Sequence, residues 1–289
     1  MAQAEYLPNL TRRRFLQWFT GITVSAGGMV GYMRAVEPHW LSIDRLELPI
    51  VGLPSALDGK RIAQLSDIHL SQYFSPAQLA NAIDQVADLE PDWLMLTGDY
   101  VGTRAGDAAG LVEPLRGLSM PVFAVLGNHD YWSDSPTVRS FLEQANVQLL
   151  LNSAIEIAPD LWCAGIDDLW AGKPSLKSAL RDIPARATTL LLAHEPDFFD
   201  VVLREKAPIA LQLSGHSHGG QVRLPTLKAD ASGHYSYAPI LPLHGRKYPI
   251  GLRRIDGRYV YTNRGVGLWP VPYRFNCRPE LTMITLRTA

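Results

Sequence analysis

Cysteine is nearly absent from this 289-residue chain: there are two, Cys163 and Cys277, and no CxxC pair. That excludes a thiolate zinc site and a c-type haem attachment, while one disulfide or two buried thiols both stay open. A charge surplus is absent too. Lys and Arg total 27 against 28 Asp and Glu, and no basic stripe marks a nucleic-acid scaffold, although a nucleotide substrate is not excluded. Repeats and low-complexity tracts are missing. What is present is an apolar content of 47% against 19% charged residues, enough for one large α/β domain or two small ones with a sizeable core.

No uncharged run reaches the roughly 20 apolar residues that span a bilayer comfortably. The longest, Gln17 to Met33, follows Arg12, Arg13 and Arg14 and then Phe15-Leu16. A basic stretch before a short apolar one is the layout of an export signal. The adjacent arginines resemble a twin-arginine signal, an address read by the Tat export machinery for proteins that cross already folded. This predicts a signal or membrane anchor over 1–40 and a catalytic domain over 41–289, exported to the periplasmic or cell-envelope side. No clear A-x-A cleavage site follows, so retention as an anchor is the alternative.

Beyond residue 40 strands and helices alternate, which points to a sheet with crossover helices. Ser75 and Pro76 open a helix that breaks before Pro91. Further helices are expected near 108–117, from Asp134-Ser135-Pro136 through Ala145, and over 175–182. The segments 147–151, 155–158 and 161–166 read as strands, and 226–250 as a long loop.

Five apolar strands end in residues able to bind metal: Asp67 and His69 in "LSDIHL", Asp99 in "LTGDYV", Asn128 and His129 in "LGNHDYW", His194 in "LLLAHEP", and His216 and His218 in "LSGHSHGG". Ligands of α/β sheets bind beyond the carboxyl ends of strands, so the five endings are expected to converge on one edge. Each piece alone has an ordinary reading, a core histidine or a turn; their joint occurrence does not. Carboxylate, amide and imidazole together suit Mn, Zn or Fe. Too many ligands are present for one tetrahedral zinc, and their number suits two ions sharing a carboxylate.

The set D-x-H, G-D, G-N-H-D, H and G-H-x-H, in this order from about 60 to 222, resembles the calcineurin-like metallophosphoesterase superfamily. With "NRGVG", "FNCRPEL" and the arginine-rich start, it is similar to the bacterial YaeI/YkuE-like branch of exported phosphoesterases. The resemblance implies a two-sheet β-sandwich flanked by helices in four layers. It implies that Asp67, His69 and His218 bind one ion, Asn128, His194 and His216 the other, and Asp99 both. His129 would face the scissile phosphate and protonate the leaving group or donate to the phosphate, while a hydroxide bridging the ions attacks phosphorus in line. Asp130 is a candidate for orienting His129, and Arg264 and Arg278 are candidates for gripping substrate.

The phosphoprotein-phosphatase branch reads G-D-x-x-D-R-G where this chain reads "GDYVGTRAG", with Gly102 and Thr103 in place of Asp and Arg. The expected activity is therefore a phosphodiesterase or phosphomonoesterase on a small-molecule substrate rather than a protein phosphatase. The alternative is a pyrophosphate hydrolase acting on a lipid-linked nucleotide such as UDP-diacylglucosamine, suggested by the apolar N-terminus and by Tyr235, Tyr237, Ile240, Leu241 and Leu243, with membrane association. A non-catalytic scaffold would have lost ligands, and none is lost. A zinc peptidase fails because Phe198 stands where H-E-x-x-H needs its second histidine.

Overall fold

The computed structural model describes residues 12–289, and for 12–22 and 24 the backbone alone. Strands β1 (Ser42–Ile50), β2 (Arg61–Leu65), β3 (Trp93–Leu96), β4 (Val122–Ala124), β5 (Gln148–Leu149), β6 (Ser153–Ala158) and β7 (Leu161–Gly165) come first. They are followed by β8 (Thr188–Leu192), β9 (Leu211–Ser214), β10 (Leu224–Pro225), β11 (Ser236–Tyr237), β12 (Gly251–Ile255), β13 (Arg258–Thr262) and β14 (Glu280–Thr288). The helices are α1 (Arg12–Ala35), α2 (Pro76–Asp88), α3 (Val112–Arg116), α4 (Asn128–Gln144), α5 (Leu176–Ala179) and α6 (Phe199–Arg204).

Twelve strands form two six-stranded sheets, ordered β1-β14-β2-β3-β4-β5 and β12-β13-β9-β8-β7-β6. β2 to β5 are parallel in the first sheet, and β7, β8, β9 and β13 in the second. Parallel strands are covered on both faces, which is why "WLML" and "TTLLL" are buried throughout rather than alternating. Between the sheets lies one core, with Ile62, Met95 and Phe123 on one side and Cys163, Leu190, Leu213 and Tyr261 on the other. Each such large side chain contributes about 1.5–3 kcal/mol by leaving water. The outer face of the first sheet packs Leu65, Leu94 and Ala124 against Leu79, Ile83 and Val86 of α2 and Val138 and Leu142 of α4. That of the second packs Leu191 and Val260 against Leu176, Phe199 and Val202. The result is four layers, helix–sheet–sheet–helix, the expected sandwich.

Local sequence explains the best-defined helix. Ser75 Oγ accepts the Gln78 N–H and Gln78 Oε1 accepts that of Ser75, a capping box, with Pro76 in the first turn. Two regions add to or differ from the expectation. The helix opened by Asp134-Ser135-Pro136 is present, and another helical piece, from Asn128, precedes it across a non-helical Asp134. The buried Asp130 carboxylate accepts the Gly127 N–H and starts the first piece inside the site loop; Pro136 opens the second. The helix expected near 108–117 is a 3-10 segment, Ala105–Leu111, continued by the short α3.

Residues 1–11 of the expected signal lie outside the described residues, as do the Arg12–Arg14 side chains. Among the described residues no helix is long and apolar enough to cross a membrane. The end of α1 is joined to the domain. Met33 O accepts the Arg274 N–H at 2.9 Å, and the buried Glu37 carboxylate accepts the Cys277 N–H at 2.6 Å. Residues on the leader side of the expected boundary at 40 thus pack with the catalytic part.

Candidate metal centre

β2, β3 and β4 of one sheet and β8 and β9 of the other each run into a short loop at the same edge. The structure brings the loop residues together as two groups, Asp67 with His69 and His218, and Asp99 with His194 and His216; within each group one ligand atom per residue lies within 4.8 Å of the others. All six are buried. Packing the two sheets this closely needs bare backbone at one crossing: a Cβ on Gly215 would sit 2.2 Å from Asp67 Oδ2 and 1.8 Å from Ser66 Oγ.

The two groups have the same internal pattern. In the first, His69 Nε2 and His218 Nε2 are 3.1 Å apart, and His218 Nε2 is 3.4 Å from Asp67 Oδ1. In the second, His216 Nδ1 and His194 Nε2 are 3.2 Å apart, and His194 Nε2 is 3.2 Å from Asp99 Oδ2. Asp99 Oδ2 also lies 3.4 Å from His69 Nε2, so one carboxylate oxygen faces both groups. Asn128, at the first position of α4, is buried and its Oδ1 has no hydrogen-bond partner. Five of these residues, Asp67, His69, Asp99, His216 and His218, have φ between 46° and 67°, a region non-glycine residues seldom occupy. Such strain persists only where the surroundings over-determine it, and it clusters at functional sites.

These donors fit divalent cations. Facing imidazole nitrogens at hydrogen-bond distance can share one proton at most, and a buried amide oxygen without a donor is unsatisfied; a cation beside them answers both. Carbonyl groups behind the site set the tautomers. Thr97 O accepts from His194 Nδ1 and Leu243 O from His216 Nε2, both at 2.7 Å, which leaves a lone pair on the inward nitrogen. Electrostatics agree for three of the four imidazoles. Burial would lower His194 too, but the charges of Asp99, Asp67 and Glu195 outweigh it and hold this one well above its usual value. Burial holds the His69 and His216 imidazoles down at about 3, and that of His218 well below its usual value, so these three are neutral ligands. Burial, with the Asp99 charge adding, lifts Asp67 to about 7 although His194 opposes the rise. Burial would also raise Asp99, but His194, His129 and His69 outweigh it and hold the carboxyl well below its usual range.

His129 stands outside both groups. Its N–H donates to Asp99 Oδ1 at 2.8 Å, and its ring Nδ1 lies 2.7 Å from Gly102 O. The expected orienter, Asp130, does something else: its carboxylate is fully buried and accepts the N–H groups of Asp99, Tyr100 and Gly127. It ties two site loops together, and Gly102 orients the imidazole. Nor does the structure bring the two arginines to the metal groups. Arg264 pairs with Asp44 and Glu280, and Arg278 donates to Ser42 and lies 4.6 Å over the Trp40 ring. Both line a separate cleft of about 400 Å³ with Arg223 and Cys277.

Several residues escaped the sequence reading. Arg274 is fully buried and donates to the carbonyls of Arg264, Gly265, Gly267 and Cys277, fixing the "NRGVG" segment whose Gly267 N–H bonds Asp67 O. Trp132, Trp170 and Trp269 ring the site. The signal for Trp132 was its place three residues after His129 in "GNHDYW"; nothing local marked Arg274. Both cysteines are free, Cys163 in the inter-sheet core and Cys277 against His218 O.

Residues 60–220 match the family of calcineurin-like phosphoesterases. The chain is 32% identical to an uncharacterized metallophosphoesterase, YkuE, of Bacillus subtilis (strain 168), across 98% of this chain and 99% of that one. It is 33% identical to the phosphodiesterase YaeI of Escherichia coli (strain K12), across 96% and 99%. It is 26% identical to the UDP-2,3-diacylglucosamine pyrophosphatase LpxG of Chlamydia muridarum (strain MoPn / Nigg), across 92% and 97%.

Proposed function

The chain belongs to the calcineurin-like phosphoesterase family, and from that premise we propose that it is a metal-dependent phosphodiesterase of the cell envelope. That it is a metal-dependent phosphoester hydrolase follows from the family and from the two metal-binding groups. The observation that carries the reading is Asp99 Oδ2 facing a histidine of each group, 3.4 Å from His69 and 3.2 Å from His194. Asp67, His69 and His218 would hold one ion, Asn128, His194 and His216 the other, and Asp99 both.

Bound there, two cations polarise phosphoryl oxygens and make hydroxide available near neutral pH. The chain's own work is positioning. Gly102 O keeps the His129 Nδ1 proton, so Nε2 is the atom that gives or takes a proton at the leaving oxygen. Asp130 keeps the Asp99 and Asn128 loops in register. No arginine of the G-D-x-x-D-R-G type grips the phosphate, which favours diesters, with one charge fewer, over monoesters.

A second reading, cleavage of a lipid-linked nucleotide pyrophosphate, draws support from the Chlamydia relative and from the exposed Tyr235, Tyr237, Ile240 and Leu243, of which Leu243 accepts from His216 through its carbonyl. We also propose a leader over 1–40, export by the twin-arginine route and Mn, Zn or Fe as the ions; the arginine-rich start and the ligand types support these. Lys in place of Arg12, Arg13 and Arg14 should keep the protein in the cytoplasmic fraction if export takes that route. The esterase reading is tested by metal analysis of the full chain and by hydrolysis of bis-4-nitrophenyl against 4-nitrophenyl phosphate with Mn²⁺. Diester cleavage by a protein holding a pair of ions supports it; a protein binding no metal sinks it.

A further inference from the structure

Trp132 and Trp170 are used by nothing described so far, yet they close an arc of rings over the site. Trp132 lies 5.1 Å from His129 and 4.9 Å from Trp170, centroid to centroid. Trp170 reaches His216 at 5.8 Å and His244 at 6.1 Å. One indole therefore touches the phosphate-facing candidate and the other a metal-ligand candidate. Both are exposed, 53% and 41%. Isolated exposed apolar residues need no explanation, but two indoles packed together at the mouth of a site do.

The turn that carries the exposed Trp170 is also fixed. The Trp170 backbone N–H is 3.0 Å from Asp168 Oδ1 and 3.1 Å from Glu195 Oε1, and Glu195 Oε2 accepts the Leu169 backbone N–H. Both carboxylates are fully buried. Asp167 accepts from Asp168 N, Lys173 N and the Tyr131 hydroxyl in the same turn. Burying carboxylates is costly unless they are hydrogen-bonded, and here their bonds go to the turn that carries Trp170. An aromatic on a fixed turn, its ring packed on Trp132 and His216, is how binding surfaces build an anchor, because little side-chain entropy is lost on contact.

We infer that Trp132 and Trp170 are specificity residues that seat a flat ring in the organic part of the substrate, a nucleoside base by chemical class. The inference rests on the phosphoester reading of the neighbouring site. The two indoles stand 80° apart, so they offer a face and an edge at right angles. A planar π system can stack on one and meet the other edge-on, both favoured geometries. An acyl chain gains nothing from that orthogonality. The His244 imidazole, beside Trp170, supplies a nitrogen for the edge of a base.

The test is calorimetric titration of the full chain, loaded with Mn²⁺, with non-hydrolysable phosphonate analogues of adenosine 5′-monophosphate and of ribose 5-phosphate. The base should tighten binding about tenfold, as a stacked base does. Trp132→Ala and Trp170→Ala should bring the ratio close to unity without weakening the ribose analogue, and Trp170→Phe should keep most of it. A wild-type ratio near unity, or variants that weaken both ligands alike, overturns the inference. So does an octyl phosphonate that shows the tenfold gain and its loss in place of the nucleotide. Failure of the esterase reading is separate: a wild-type protein that neither holds Mn²⁺ nor cleaves bis-4-nitrophenyl phosphate.

Discussion

The carbonyl oxygen of Gly102 lies 2.7 Å from Nδ1 of His129. A backbone acceptor does here what a side-chain carboxylate would do if position 102 were Asp, and it works only while the 100–103 loop stays in place. A Cβ on Gly102 would come within 3.1 Å of Trp269 and 3.3 Å of Ser71 Cβ. Gly102→Ala is expected to move the carbonyl by tenths of an ångström and to lower kcat for a diester about tenfold, with KM and metal content near wild type. His129→Ala removes the group itself and should cost about 10²–10⁴ in kcat, again with metal retained. Kinetics beside metal analysis check both; metal lost from His129→Ala would make it a ligand instead.

Asp99→Asn should behave differently. It weakens a side chain that faces both groups, so the metal content measured after dialysis should fall and hydrolysis should vanish with it. Chelation of the wild type should lower the melting temperature. Ligand at a hundred times its dissociation constant stabilises a fold by about 2.7 kcal/mol, and EDTA removes that. A melting curve indifferent to EDTA would count against resident ions.

Asp130→Ala strands three buried N–H groups, on Asp99, Tyr100 and Gly127. At about 1–3 kcal/mol for each unsatisfied group, partly offset by water entering, a loss of about 3–5 kcal/mol is expected in urea unfolding. Asp130→Asn keeps one acceptor oxygen and should lose less. Equal stability of Asp130→Ala and wild type would show that these bonds are not needed.

Cys163 and Cys277 are buried thiols in different parts of the fold, and burial raises the pKa of both. The native protein should be inert to a thiol reagent, and both groups should titrate in denaturant without prior reduction. A need for reductant would reveal a disulfide.

Glu37 gives the Cys277 N–H its acceptor, and Cys277 in turn packs its thiol on His218 O. A chain starting at residue 41 should therefore unfold about 1–3 kcal/mol more easily than one starting at residue 31, and Glu37→Ala should reproduce most of the difference. Identical unfolding of the two truncations would mean that the helix end is not part of the domain's stability.

Much of the site was legible because metal ligands are polar residues placed where an apolar strand stops, and five such endings together have no ordinary reading. The α2 cap was legible for a similar reason: Ser75, Pro76 and Gln78 act on each other within one turn. Asp130 and the arginines were misplaced because their partners come from elsewhere. The acids that occupy Arg264 are Asp44 and Glu280, neither of them near it in the strand-end motifs. The second piece of α4 was legible because Pro136 is a strong local signal, while the first piece, from Asn128, was not, because it depends on Gly127 and Asp130 meeting Asp99 across sequence.

The sequence alone determined the strand ends, the donor types and hence the metal chemistry, since these depend on residue identity and short-range order. The tertiary structure decided which donors share an ion site, the left-handed backbone that turns them inward, the carbonyl that orients His129 and the corner made by Trp132 and Trp170. Apart from the local backbone turns, each of these joins residues far apart in sequence: the loops after β3 and β4 of one sheet meet at His129, while the ion groups need loops of both sheets, packed closely at glycines such as Gly215.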